Sequence, residues 1–159
     1  MASKGNIALN EGIPTIEDAF VVIVKTEWNC DIVNELEKGA KKVLKKSGIK
    51  IKSITVPGAF EIPFAVKQHA NLSKAKADAY ITLGTIIQGD TPHFDFVCKA
   101  VTDGVLQLNL SLDAPVIFGV LTVLNEQQAQ ERIGGKHGHK GAEAAITAIK
   151  MIALKRSFK

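Results

Sequence analysis

The chain is poor in cysteine, in aromatic residues and in long apolar runs, and each shortage closes off a class of protein. Its 159 residues hold two cysteines, Cys30 and Cys98, separated too widely for a metal or redox motif, which excludes a disulfide-stapled scaffold. Both are expected to be reduced thiols in or near the core of a cytoplasmic protein. No apolar stretch reaches the roughly 20 residues that a membrane-spanning helix needs. Met1 to Asn10 carries one lysine and no apolar block followed by small residues, so it does not read as a secretory signal. Aromatic residues make up 6% of the chain, and none is interleaved with the lysines at 38, 41, 42, 45 and 46. A surface that stacks nucleic-acid bases is therefore unsupported.

What is present suits one globular domain. Hydrophobic residues make up 46% of the chain and the net charge is +4, enough apolar material for a core and too little charge to dictate a polyanionic partner. The lysine cluster falls on the polar side of a helix whose apolar stripe is Ile32, Leu36, Ala40 and Val43, with Glu37 placed to pair with Lys41. Residues 1–18 show neither helical nor strand periodicity and are read as an arm, on a neighbouring subunit or disordered, ahead of a domain at 19–159.

From there strand and helix alternate. Apolar runs predict strands at Ala19–Lys25, Ala79–Ile87 and Pro115–Val123, and alternation at Ile49, Ile51, Ile54 and Val56 predicts one at Ile49–Val56. Helices are expected from Asn29 or Asp31 to Ser47, stopped by Gly48, then over Ile62–Leu72, and from Pro92 to about Leu110 with Thr91 as its cap. A short helix capped at Asn125 reaches about Ile133, the glycine tract Gly134–Gly141 interrupts, and Ala142–Arg156 closes the chain. Four alternations argue an α/β, flavodoxin-like three-layer sandwich: a four-stranded parallel sheet in the order 2-1-3-4 with helices on both faces.

Ligands of such sheets bind beyond the carboxyl ends of the strands. Those ends carry Thr26–Asn29, Pro57–Glu61, Gln88–His93 and Thr122–Glu126. The stretch from Gly84 to Val97 feeds a strand into a helix through Gly89, Asp90 and Thr91, where free backbone N–H groups favour an anion. His93 beside that turn can move protons; the plainer reading is an ordinary turn with a surface histidine. Trp28 and Phe60 either stack on a flat ring or pack in the core. His137 and His139 lack a third partner for a metal, and His69 is read as a surface or boundary residue.

With these motifs in order, the chain resembles the 6,7-dimethyl-8-ribityllumazine synthase family. The resemblance runs from Phe20 onward and rests on Val56-Pro57-Gly58-Ala59-Phe60-Glu61-Ile62-Pro63, on Gly84-Thr85-Ile86-Ile87 with Gly89 and His93, and on Phe118-Gly119-Val120-Leu121-Thr122. A last block, Glu126 to Arg132 with Lys136 and Lys140-Gly141, completes it. The resemblance implies a condensation of 5-amino-6-ribitylamino-uracil with 3,4-dihydroxy-2-butanone 4-phosphate that releases phosphate and water in riboflavin synthesis. No cofactor or metal is implied. By motif position Trp28 stacks on the pyrimidinedione, Asn29, Thr85, Ile86 and Ile87 line its site, and Ala59, Phe60 and Glu61 hold the ribityl chain. His93 is the proton shuttle. Gly89, Asp90, Thr91 and Arg132 bind the phosphate, Lys140 supports them, and Phe118 with Arg132 reaches in from a neighbouring subunit. The implied assembly is a pentamer, with a sixty-subunit icosahedral shell favoured by the short glycine tract. Riboflavin synthase is a candidate partner, and nucleic acid and membrane are not.

The chain departs from the family at three points. Trp28 stands where phenylalanine is common, and Thr26-Glu27 and Gln88 stand where arginines are usual. Asp90 adds a carboxylate near the phosphate turn, directed either to solvent or inward. These departures keep a second class open, a flavin- or lumazine-binding cage that has lost fast turnover; retention of His93 with Arg132 argues against it.

Overall fold

A computed structural model describes Leu9 and residues 11–158. Four parallel strands, β1 (Phe20–Thr26), β2 (Lys50–Val56), β3 (Ala79–Ile87) and β4 (Val116–Val123), form one sheet in the expected order β2-β1-β3-β4. Between them run α1 (Cys30–Lys46), a 3-10 turn (Ala59–Glu61) leading into α2 (Ile62–Leu72), and α3 (His93–Ser111). After β4 come α4 (Glu126–Gln130), β5 (Ile133–Gly135), β6 (Gly138–His139) and α5 (Lys140–Ser157).

Alternating residues of one strand supply two cores. Val21 and Ile23 face α1 and α5, meeting Leu36, Ala40, Ala145 and Ile149. Val22 and Val24 face α2 and α3, meeting Ile62, Val66, Val101 and Val105. Burial on both faces explains why the central β1 and β3 read as unbroken apolar runs, whereas β2, an edge strand largely open to solvent, alternates. Gly48, at φ 71, supplies the left-handed residue that ends α1.

The glycine tract is not a plain interruption. Ile133 and Gly135 pair with His139 and Gly138 in an antiparallel hairpin, with Gly134 at φ 119 and Gly138 at φ 80. α4 accordingly ends at Gln130, before the expected Ile133.

Residues 11–18 run against their own chain. Ile16 is buried in the α1/α5 core, Lys150 Nζ donates to the Glu11 carbonyl at 3.0 Å, and Arg156 Nη1 donates to the Glu17 carbonyl at 2.7 Å. The rest of the expected arm, residues 1–8 and 10, lies outside the described residues.

A part-buried ionic network centred on the buried Glu37 ties β1, α1 and β2 together. Glu37 accepts from Lys25 at 2.7 Å, from Lys41 at 2.7 Å and from the Ser53 hydroxyl at 2.5 Å. Burial pushes its pKa up, but the bonds from Lys25, Lys41 and Ser53 outweigh that and hold it at about 2.

Candidate active site

The carboxyl ends of β1, β2 and β3 and the first turns of α3 enclose a cleft of about 680 Å³. Its walls are continuous with the sheet. Past the last residue of β1 the ladder goes on, Glu27 N donating to the Val56 carbonyl at 2.8 Å and Trp28 N to the Pro57 carbonyl at 3.2 Å. The Thr26 hydroxyl donates to the Trp28 carbonyl at 3.1 Å, fixing the same turn from inside.

Trp28 and Phe60 line this cleft and are 75% and 64% exposed. The core-packing reading of these two residues is therefore wrong. A large apolar ring left in water beside a cleft is a surface for a ligand ring, because stacking there removes apolar area from solvent.

Of the two expected caps of α1, Asn29 rather than Asp31 takes the N-cap position, yet its side chain makes no capping bond. It adopts the left-handed conformation at φ 55, and its Nδ2 donates to the Thr85 carbonyl at 2.7 Å, tying the β1 loop to the end of β3. An asparagine tolerates that backbone better than most residues. Its amide therefore joins two walls of the cleft.

The floor and mouth are polar. Thr85 is 4% exposed, and its hydroxyl finds no partner among the described residues. A desolvated hydroxyl of this kind costs about 1–3 kcal/mol until something bonds to it, which a ligand polar group can do. Glu61 accepts from Gly58 N at 3.0 Å, an aim that leaves its second carboxylate oxygen for a ligand. Gly89, Thr91 and His93 complete the mouth, with Ala59, Ile86 and Ile87 on the walls. The helix begins at His93, one residue later than expected, with Pro92 in the cap position. Thr91 makes no cap, because Pro92 takes that place; no side chain caps α3, and of its first amides that of Asp95 already donates to the Pro92 carbonyl at 3.0 Å, which leaves those of His93 and Phe94 for an anion.

The remaining residues singled out from sequence do not line this cleft. Asp90 is exposed on the turn. Phe118 is 41% exposed on β4. Arg132 follows α4, its Nη1 donating to the Gln128 carbonyl at 2.7 Å, and Lys140 pairs with Glu143 at 2.7 Å. Thr26, Pro57 and Gly58 of the strand-end loops also line it, as do Phe94 and Val97, which the sequence did not mark as site residues. Thr26, Pro57 and Gly58 carried a signal, standing where the expected strands hand over to their polar loops. Phe94 and Val97 carried none, because their spacing matches the core stripe of α3.

Several other expectations change. Cys30 is exposed at the start of α1 rather than in or near the core, because it lies on the solvent side of a first turn that buries Ile32 and Val33 instead; Cys98 is half-buried. His69 is a buried residue whose Nδ1 lies 3.0 Å from the Tyr80 hydroxyl. Burial lowers its pKa, with Lys52 and Lys76 adding to the effect. His137 contacts the Glu131 carboxylate at 3.2 Å, and His139 accepts from Ala142 N at 3.4 Å. No group of three metal-binding side chains gathers among the described residues, and none of their helices is long and apolar enough to cross a membrane.

The order of motifs around this cleft has counterparts. Residues 18–156 match the family model described as 6,7-dimethyl-8-ribityllumazine synthase. The 6,7-dimethyl-8-ribityllumazine synthase of Bacteroides fragilis is 52% identical over 133 residues, covering 82% of this chain and 92% of that protein. That of Cytophaga hutchinsonii is 47% identical over 155 residues, covering 96% of each. That of Christiangramia forsetii is 43% identical and spans 100% of this chain and 98% of its own. Matched over nearly its full length by the family model and by relatives of that one description, the chain belongs to the 6,7-dimethyl-8-ribityllumazine synthase family.

Proposed function

We infer that this chain is an enzyme that condenses 5-amino-6-ribitylamino-uracil with 3,4-dihydroxy-2-butanone 4-phosphate, releasing phosphate and water, in the penultimate step of riboflavin synthesis. The observation that carries the placement of the reaction is the cleft itself: an exposed indole over an unpartnered buried threonine hydroxyl, with His93 and the open start of α3 at its mouth. The pyrimidinedione stacks on Trp28 and bonds to the Thr85 hydroxyl and the backbone of Ile86 and Ile87. The ribityl chain lies along Ala59 to Glu61. Its phosphate partner rests on the N–H groups of Gly89 to Thr91.

The chemistry follows from those positions. The amine of the uracil attacks the ketone, water leaves to give an imine, phosphate is eliminated to leave a second carbonyl, and attack of the ribitylamino nitrogen on that carbonyl with loss of a second water closes the ring. Each step moves a proton, and imidazole both gives and accepts one near neutral pH. No net oxidation occurs, so the reaction asks for no electron acceptor. Holding two substrates in contact supplies much of the rate without covalent help. His93→Ala is therefore expected to lower kcat by about 10- to 100-fold while leaving measurable turnover. Complete loss in a folded, assembled His93 variant would show that proton transfer outweighs positioning.

Arg132, Phe118 and Lys140 do not line the cleft of their own chain, which supports a site completed by a neighbouring copy in a pentamer. There Arg132 offers the phosphate a paired guanidinium contact, Phe118 closes the ring pocket, and Lys140 supports them. Larger shells and an association with riboflavin synthase belong to the same reading. Free thiols at Cys30 and Cys98 suit the cytoplasm.

The direct test is the condensation with both substrates, following lumazine absorbance and phosphate release together against an enzyme-free control. Product and phosphate rising in step support the synthase. A folded sample that binds riboflavin tightly but gives no product above background points to a binding cage and would overturn the reading.

A further inference from the structure

His139 lies outside the cleft and takes no part in the steps above. It ends β6, pairs with Ile133 across the hairpin, and caps α5 by accepting from Ala142 N at 3.4 Å. A β-carbon at Gly39 of α1 would collide with its imidazole, so the ring fills space that α1 leaves open only because residue 39 is glycine. Burial pushes the His139 pKa down, against smaller upward influences from its own backbone, Glu35 and Glu143, so the ring is neutral and its lone pair is free for the cap.

The hairpin that His139 plugs into α1 also grips Arg132. Lys140 N donates to the Arg132 carbonyl at 2.8 Å. On the other side, His137 N donates to the Glu131 carbonyl at 2.9 Å, and its ring reaches the Glu131 carboxylate at 3.2 Å. The side chain of Arg132 uses one N–H on the Gln128 carbonyl and keeps the others for a ligand. The backbone on both sides of Arg132 is thus tied to the hairpin, and the hairpin is tied to α1 and α5 through the His139 imidazole together with Ile133, which packs against their core.

We propose that His139 is the positioning residue for Arg132: by locking the β5–β6 hairpin against Gly39 and the start of α5, it sets where the guanidinium meets the substrate phosphate. The inference rests on the reading of Arg132 as a phosphate ligand. Its consequence is that a change on α1, in contact with neither substrate, controls recognition of one of them.

The test is steady-state kinetics of the assembled protein, with kcat and both KM values measured at pH 7.5 alongside assembly size and thermal midpoint. Arg132→Ala gives the full loss of phosphate recognition. His139→Ala is expected to raise KM for the butanone phosphate on the order of tenfold, the size of one lost helix cap read as affinity, with kcat and the other KM within about twofold. His139→Asn keeps a side-chain acceptor for the cap and is expected to restore the native KM. Gly39→Ala favours the helix it sits in but displaces the ring, so it should copy His139→Ala in a protein that still folds. If Arg132→Ala raises this KM while His139→Ala and Gly39→Ala do not, the positioning role is wrong. If kcat and both KM values fall off together, His139 serves folding alone, which also overturns the proposal. An unchanged KM in Arg132→Ala removes the underlying reading and takes the inference with it.

Discussion

The two ends of the sheet carry the two halves of the proposed chemistry and are built in opposite ways. At the β1–β2–β3 end, backbone bonds hold the walls, the Trp28 and Phe60 rings stay exposed, and the Thr85 hydroxyl has no partner among the described residues. At the β4–α4–α5 end, the charged groups are already engaged: Arg132 with the Gln128 carbonyl and Lys140 with Glu143. The first end is a receptor with its contacts unmet. The second presents cations held to a fixed aim by local partners. An active site assembled from both kinds of surface gains a ready pocket and a pre-aimed charge without either chain enclosing the reaction alone.

That contrast can be broken from the receptor side first. Glu37→Ala leaves Lys25 and Lys41 without their anion and is expected to cost about 3 kcal/mol in urea unfolding, the usual penalty for breaking a buried ion pair. Acid should do the same in steps. The folded pKa of Glu37, about 2, lies below its ordinary value of 4.5, so its contribution is fully present above pH 4.5 and is lost as pH falls toward 2. The native protein should lose stability through that window, and Glu37→Gln should flatten the loss. An unchanged acid profile in the variant would mean that the network is not what anchors β1 to α1.

The cationic end is probed by Arg132→Ala, expected to raise KM for the butanone phosphate about 100-fold with kcat within a few-fold, as befits two charge-assisted bonds lost. A fall in kcat alone would place Arg132 in the reaction steps instead of in phosphate binding. Trp28→Ala should raise KM for the uracil substrate about tenfold through lost stacking, leaving the phosphate substrate nearly untouched. Were both KM values to rise together, the division of labour between the two ends would not hold. The smallest effect is expected at Asp90. It is exposed and outside the cleft lining, so Asp90→Asn should change either KM by less than about twofold at physiological salt. A larger gain in phosphate affinity would show the carboxylate turning inward on binding.

Much of the fold was legible because it follows from local repetition. Apolar runs and one alternating stretch marked the β strands, and Ile62–Leu72 and Ala79–Ile87 emerged with the expected bounds. Strand order followed from the handedness of crossovers. What escaped depended on partners distant in sequence. His69 reads as a surface or boundary residue because nothing near it in the chain announces Tyr80, eleven residues on in β3. Asn29 was read as a cap because that is its local habit, whereas its amide belongs to Thr85. The hairpin at Ile133–His139 has strands too short to show any period. In the cleft, the polar turn and His93 were visible as a motif, yet whether Trp28 and Phe60 faced water or core was not, since a lone aromatic on a loop fits either.

The ladder that runs past the end of β1 has a consequence for ligand recognition. Because Glu27 and Trp28 stay paired with Val56 and Pro57, the indole is carried on an extension of the sheet instead of a free loop. The conformational entropy of that wall is surrendered when the chain folds, so little remains to be lost when a ring arrives. Binding at this wall should therefore show the negative heat-capacity change of apolar burial with almost no added signature of chain ordering.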